Sequence, residues 1–349
     1  MTKKPLISVL CSSFNHSEFV GYFMNSLINQ TYKNWELIII DDCSIDNNVE
    51  EIKIINDPRI KLFTMDVNSG SSIVTTKAFS LSKGEIIVDL ASDDALIEDY
   101  FEIIVNIFNN NSNIGVIYSP LLIINEHNVK KEIRPLPQKN RIELLKDLFY
   151  VKNVLYSPGY ATRREFYELL VPMNFSLIQH QDYQWHIKLL INTDCYLLPE
   201  PHVLYRIQDV NSTSLGTRNI SANNRYNLEI DYLMNTFLTI KDTELVEKIC
   251  NNPKYTNFDK DLIPFVFGMC ALNSNDIYKR QWGYKTLLNF FENSNNFYLV
   301  NRIYGFTFKD MLSLSSTNFY TPIILEKRTF YQKTKSFIKK ILIKLNLYK

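Results

Sequence analysis

Two pairs of adjacent acids stand where carboxylates could do chemistry. Asp41-Asp42 follows the apolar run Glu36–Ile40, and Asp93-Asp94 follows Glu85–Leu90 across Ala91 and Ser92. Neighbouring carboxylates repel one another unless a cation or a hydrogen-bonded ligand offsets the charge. Each pair also has a plainer reading. Asp41-Asp42 could form a turn and cap the next helix, and Asp93-Asp94 could cap a helix starting near Glu98. A further acid, Asp182, opens a stretch in which Ile187, Leu189 and Leu190 keep helical spacing. A first-turn acid of that kind is favoured by the helix dipole alone. His180 and His186 are six residues apart, which is not a zinc-helix spacing, and read as structural or as facing a ligand.

The elements that must position these acids alternate between strand and helix. Leu6–Ser12, Glu36–Ile40, Ile60–Thr64 and Glu85–Leu90 are short, mostly apolar strand candidates. Phe19, Val20, Phe23, Met24, Leu27 and Ile28 make one helical stripe, with Ser17 offering a cap, and residues 71–82 leave room for another helix. Such alternation implies an α/β fold with a mostly parallel sheet flanked by helices, because each parallel pairing needs a crossover. Ligands bind such sheets beyond the carboxyl ends of the strands, and both acid pairs stand there.

The segments Ser8–Asn15, Asn29–Asp46, Asp57–Ile60, Asn68–Gly70 and Lys83–Asp94 resemble family 2 glycosyltransferases of the GT-A (Rossmann-like) fold. The resemblance covers residues 5–215, and Gln30–Asp42 (QTYKNWELIIIDD) is its most specific part. It implies an inverting, metal-assisted transferase. Such an enzyme moves a sugar from a nucleotide diphosphate sugar, a UDP-sugar first, to an acceptor hydroxyl. Capsule, lipopolysaccharide and other bacterial cell-envelope glycans are the expected products. It also implies site roles. Ser13, Phe14, Asn15 and Glu18 would lie along the nucleotide, with Phe14 stacking on the base. Asp41 would accept from a pyrimidine N–H, Asn68 would touch the nucleoside, and Ser92 would line the donor site. Asp93, with Asp94 beside it, would hold Mn²⁺ or Mg²⁺, hard ions suited to carboxylate and diphosphate oxygens.

The chain departs from the family pattern at several of these positions. Ala91 stands where the family's Asp-x-Asp signature has its first acid. Val74-Thr75-Thr76 replaces the usual Ala-Arg-Asn, leaving Lys77 as a substitute for the phosphate-reaching arginine or as a solvated surface residue. On the acceptor side the resemblance implies a loop with Gly159 and Tyr160, then Gln181-Asp182, with Asp182 as general base. Gln181 replaces a usual acid. Trp185 reads as core or as an acceptor platform. Tyr205-Arg206-Ile207-Gln208 resembles the family's Tyr-Arg-x-His, so Arg206 would pair with diphosphate, or form a surface ion pair, while Gln208 is a poorer metal ligand than histidine.

These features divide the chain into three parts. Residues 1–215 form the transferase domain, with 1–125 the donor half and 126–215 the acceptor half. Residues 216–325 form a helical accessory region suited to acceptor binding or self-association as a homo-oligomer. Residues 326–349 carry eight basic residues and one acid on an amphipathic pattern. That pattern suits peripheral contact with an anionic membrane, or docking on the protein itself.

Bulk properties exclude other classes. A net charge of +1 in 349 residues provides no field for general polyanion binding, so no nucleic-acid partner is expected. Five scattered cysteines form neither a disulfide framework nor a zinc pattern, and no apolar run reaches the ~18 residues of a membrane span. A cytoplasmic protein, peripheral at the inner face of the plasma membrane, is the expectation. No G-x-G-x-x-G follows the first strand, which disfavours a nicotinamide-dependent dehydrogenase. Ala91, Gln181 and Gln208 keep one rival open: a catalytically weak sugar-nucleotide-binding or assembly subunit.

Overall fold

The computed structural model describes residues 4–207 and 220–316. The chain opens with β1 (Ile7–Ser13), α1 (Val20–Ile28), β2 (Trp35–Asp41), α2 (Asn48–Ile54), β3 (Ile60–Thr64), α3 (Ser71–Leu81) and β4 (Ile86–Asp89). β1 lies between β2 and β4, parallel to both, and β3 extends the sheet beyond β2. Ser13 is in register with Asp41, and Asp41 with Thr64, so the carboxyl ends of the three strands finish together. Every residue of β2 is buried, as expected for a central parallel strand covered on both faces. Alternation divides the apolar residues between those faces. Val9, Leu37 and Ile39 pack with Phe23 of α1, whereas Leu10, Ile38 and Ile40 pack with Val74 of α3.

Next come β5 (Ala95–Leu96), α4 (Tyr100–Asn110), β6 (Ile114–Tyr118), β7 (Leu121–Ile124), β8 (Lys130–Arg134), α5 (Arg141–Tyr150), β9 (Ala161–Arg163), α6 (Arg164–Tyr167), α7 (Gln181–Asn192), β10 (Asp194–Leu197) and β11 (Val203–Arg206). The main sheet has the order β10-β6-β9-β4-β1-β2-β3, with β9 antiparallel to both neighbours. A four-stranded sheet, β5-β11-β7-β8, carries the chain from the acid pair after β4 to Arg206.

The helical region comprises α8 (Ile220–Met234), α9 (Thr243–Cys250), α10 (Ile263–Ala271), α11 (Ile277–Phe291), α12 (Ser294–Tyr304) and α13 (Phe308–Leu314). It shares one apolar core with α5 and α7. Fully buried Lys279 of α11 fastens it there: Nζ donates to the carbonyls of Leu148 (2.8 Å) and Val151 (3.3 Å) and to the Tyr183 hydroxyl (3.0 Å). Burial pulls its pKa down to about 8. Among the described residues no helix is long and apolar enough to cross a membrane. The basic segment 326–349 and Gln208 lie outside the described residues.

Two capping expectations fail. Ser17 does not cap α1, which begins at Val20 after Phe19; the Ser17 N–H instead donates to Asp46 Oδ2 at 3.0 Å. Nor do Asp93 and Asp94 cap α4, whose N-cap residue is Asp99.

Candidate active site

β1 is where the order of the first strands reverses: β2 and β3 lie on one side, β4 on the other. The crevice beyond such a reversal is the natural ligand site of an open α/β sheet. Its walls are the loops after β1, β2 and β4.

The acids after β2 build these walls. Asp41, 2% exposed, accepts from Ser44 N (2.9 Å) and Asn48 Nδ2 (2.7 Å). Asp42 accepts from Ser69 N (2.7 Å) and Gly70 N (2.8 Å), which sets the entry into α3. Asn15, at a φ of 54°, ties the first loop to the second through Ser44 Oγ and Ile45 N, both at 2.9 Å. The turn reading therefore accounts for one hydrogen bond to each oxygen of this pair, whereas the next helix, α2, has Asn47 as its N-cap residue. Asp41 stays at the carboxyl end of β2 with acceptor capacity left on both oxygens. Phe14 is 40% exposed and free to stack, and Glu18 is exposed on the following turn. Asn68 is exposed with Nδ2 3.3 Å from Asp42 O; exposed Lys77 places Nζ 3.3 Å from Met65 Sδ, on the β3 side.

The turn after β4 separates its two acids. Ser92 Oγ donates to Ser13 Oγ at 2.8 Å, and Asn48 Nδ2 donates to the same Ser13 oxygen at 2.8 Å. His16 Nδ1 lies 2.8 Å from Ser92 Oγ, and its Nε2 lies 3.8 Å from Asp93 Oδ2. Asp93 remains partly open, whereas Asp94 is 1% exposed and accepts from the Arg206 N–H at 2.9 Å. Burial, and then the Asp93 charge, push the Asp94 carboxyl well above the usual range. Asp94 is thus not placed as a metal ligand. Among the described residues no group of three His, Cys, Asp or Glu side chains is gathered for a metal. The open donors that fit a cation here are Asp93 and the imidazole facing it.

Arg206 also differs from expectation. It is 4% exposed, and its Nε donates to Asp93 O (2.8 Å), Nη1 to Asn125 O (2.6 Å) and Nη2 to Asn128 Oδ1 (2.7 Å). The guanidinium lies 4.6 Å over the Phe19 ring. This planar fork clamps the acid turn to the β7–β8 loop, instead of facing a diphosphate or forming a surface ion pair.

On the acceptor side, Gly159 has a φ of +68°, and a Cβ there would meet Val203 Cγ2 at 2.6 Å. Only glycine suits that conformation and approach. Its N–H donates to Asp89 O at 2.8 Å, placing residues 157–160 at the same carboxyl edge. Tyr160 and Trp185 are buried, so both are core and not acceptor contacts. Asp89 receives the Tyr167 hydroxyl at 2.9 Å, and burial pushes its carboxyl up to about 6. Gln181 Oε1 accepts from Ser71 Oγ at 3.2 Å, joining α7 to the start of α3.

Asp182 lies in the first turn of α7. Its Oδ1 accepts its neighbour's N–H, from Tyr183, at 2.7 Å; Oδ2 is 3.4 Å from Asn153 Nδ2. Burial raises its pKa, while the Tyr183 N–H, the Ser157 hydroxyl and its own backbone N–H oppose the rise. Behind it, Ser157 Oγ is 3.2 Å from His186 Nε2, and His186 Nδ1 is 3.1 Å from the Tyr118 hydroxyl. His186 is fully buried and pushed down to about 3, so it is neutral. If Ser157 gives its proton to Asp182, it must accept from His186 Nε2–H, and Tyr118 then donates to Nδ1. In that arrangement every donor of this hydrogen-bonded chain points toward Asp182. Tyr205 is raised to about 12 chiefly by burial, with Asp94, Asp93 and Asp182 adding to the rise and Arg134 opposing it.

Sequence reasoning missed His16, Asp89, Ser157 and the role of His186. Two signals were available: a lone acid inside the apolar run 85–90, and the i,i+4 spacing of Asp182 and His186 on one helix.

The family model for glycosyl transferase family 2 matches residues 8–170. The chain is 30% identical over 185 residues to WfgD of Escherichia coli, a UDP-Glc:alpha-D-GlcNAc-diphosphoundecaprenol beta-1,3-glucosyltransferase, covering 53% of this chain and 70% of the relative. It is 26% identical over 197 residues to the putative colanic acid biosynthesis glycosyl transferase WcaA of Escherichia coli (strain K12), covering 55% and 68%. The fold is similar to that of S. aureus TarS in complex with UDP-GlcNAc, with a TM-score of 0.54 and 13% identity over 82% of this chain and 80% of that one. The parallel sheet with its acids at the carboxyl edge is therefore a GT-A fold, and the chain belongs to glycosyl transferase family 2.

Proposed function

We propose that this glycosyltransferase moves a sugar from a UDP-sugar to an acceptor hydroxyl with inversion at the anomeric carbon, using Asp182 as general base. The observation that carries the reading is the Asp182 carboxylate, raised by burial and held by the Tyr183 N–H in the first turn of α7, which Gln181 joins to the start of α3 through Ser71. In the reaction, Asp182 takes the acceptor hydroxyl's proton as that oxygen attacks the anomeric carbon. The bond to the nucleoside diphosphate breaks, and its electron pair leaves with the diphosphate oxygen. Phe14 stacks on the base at the opposite end of the donor. A bound divalent cation, held by Asp93, would supply charge neutralisation on the diphosphate.

Similarity to the diphosphoundecaprenol-directed WfgD and to the colanic acid protein WcaA supports a lipid-linked or polymeric cell-envelope acceptor. It also supports peripheral action at a membrane surface. The TarS complexes with UDP-GlcNAc and UDP support the choice of nucleotide.

Thermal shift with UDP, GDP, ADP and CMP, each with and without Mn²⁺, tests the donor. UDP is expected to raise the melting temperature most, through mass action on the folded state. Equal shifts with all four, or none with UDP, would count against a UDP-sugar. UDP binding without transfer across donors and acceptors would instead favour the binding or assembly subunit.

A further inference from the structure

We propose that His16 is a ligand of the divalent cation: Nε2 takes the place left by Ala91 and, with Asp93, makes a mixed nitrogen–oxygen site. The inference deepens the donor reading and rests on it for the diphosphate that completes the site.

Proton accounting at the crevice permits this role. Ser13 Oγ already receives Asn48 Nδ2–H and the Ser92 hydroxyl, each at 2.8 Å. The two hydroxyls can also pair in the reverse order, Ser13 to Ser92 to Nδ1; a metal ion on Nε2 selects the order in which Ser92 gives its proton to Ser13 and accepts Nδ1–H from His16 at 2.8 Å. That choice leaves a bare Nε2 lone pair facing the Asp93 carboxylate at 3.8 Å. Two acceptors facing each other are repulsive unless a cation lies between them. The separation exceeds the ~3.2 Å reach of an N–H···O hydrogen bond. Yet two donors each about 2.1 Å from one ion can stand up to about 4.2 Å apart.

The surroundings match the usual support of a metal-bound imidazole, whose other nitrogen is fixed by a hydrogen bond. Here Ser92 supplies it, from the residue immediately before Asp93. His16 and Asp93 come from the loops after β1 and β4, the adjacent strands that bound the crevice. Both side chains are partly exposed there, at 23% and 22%, so an ion and a diphosphate can reach them. A nitrogen ligand also sets a preference: transition ions such as Mn²⁺ or Co²⁺ should be held more tightly than Mg²⁺.

The test is electron spin echo spectroscopy of Mn²⁺ bound to the full chain, alone and with UDP, alongside titration of free Mn²⁺. Wild type should show imidazole ¹⁴N modulation that disappears in His16→Gln, with Mn²⁺ affinity falling about 10-fold or more. Ser92→Ala should give a smaller loss, and metal-free UDP affinity should change less than about 2-fold in His16→Gln. Absence of ¹⁴N modulation in wild type, its survival in His16→Gln, or unchanged Mn²⁺ affinity would overturn the proposal. A His16→Gln loss confined to metal-free UDP binding would make the imidazole a phosphate contact and also overturn it. Failure of UDP to bind wild type both with and without Mn²⁺ would count against the donor reading, while the Mn²⁺-only spectra would still decide the role of His16.

Discussion

Asp182→Asn should remove sugar transfer, with kcat down about 10²–10⁴-fold and UDP-sugar affinity within about 2-fold of wild type. The amide keeps the shape of the side chain and an oxygen for the Tyr183 N–H, but cannot take the acceptor's proton or accept a hydrogen bond at its nitrogen. Folding should not explain the loss. Burial raises the Asp182 pKa above its unfolded value, so ionisation opposes folding as pH rises through that range. A neutral amide escapes that cost, and the variant should be no less stable than wild type at neutral pH. The same shift sets the pH profile. The base works as a carboxylate, so kcat should fall with falling pH through a pKa above the ordinary ~3.9 of aspartate. Ser157→Ala removes a donor to the charged form and should move that acid limb further up. A transfer rate unchanged in Asp182→Asn would remove Asp182 from the chemistry.

Arg206→Met should cost about 3 kcal/mol of stability and abolish nucleotide binding together with it. The substitution strips donors from the carbonyls of Asp93 and Asn125 and from Asn128 Oδ1, and removes the cation nearest buried Asp94. Arg206→Lys keeps a charge but not the planar fork, so it should recover only part of the loss. Denaturant unfolding and UDP titration on the same variants separate two roles. A clamp loses stability first; a diphosphate contact would lose UDP affinity in a chain as stable as wild type. The latter result would restore the reading taken from Tyr205-Arg206-Ile207-Gln208.

The contrast between these two residues shows what the chain reveals before folding. The run QTYKNWELIIIDD displayed a buried strand and its acidic end, because burial on both faces leaves an unbroken apolar stretch. It could not show what the acids bind. Asp42 is satisfied by Ser69 and Gly70, and Arg206 by groups 78 to 113 residues away. Those partners are adjacent only after the crossovers close. Tyr160 looked like an acceptor contact from its place after Gly159, yet it stacks with Tyr118 and Tyr167 inside the core. His16 carried no signal of its own; its meaning comes from Ser92, brought beside it by the pairing of β1 with β4.

The central claim is that acceptor attack is driven by Asp182 from the face opposite the departing diphosphate. The most direct measurement is the anomeric configuration of the sugar transferred from an α-linked UDP-sugar, read by proton NMR on the first product formed. A β-linked product is predicted. An α-linked product would contradict the account, since retention cannot arise from one attack on the face opposite the leaving group.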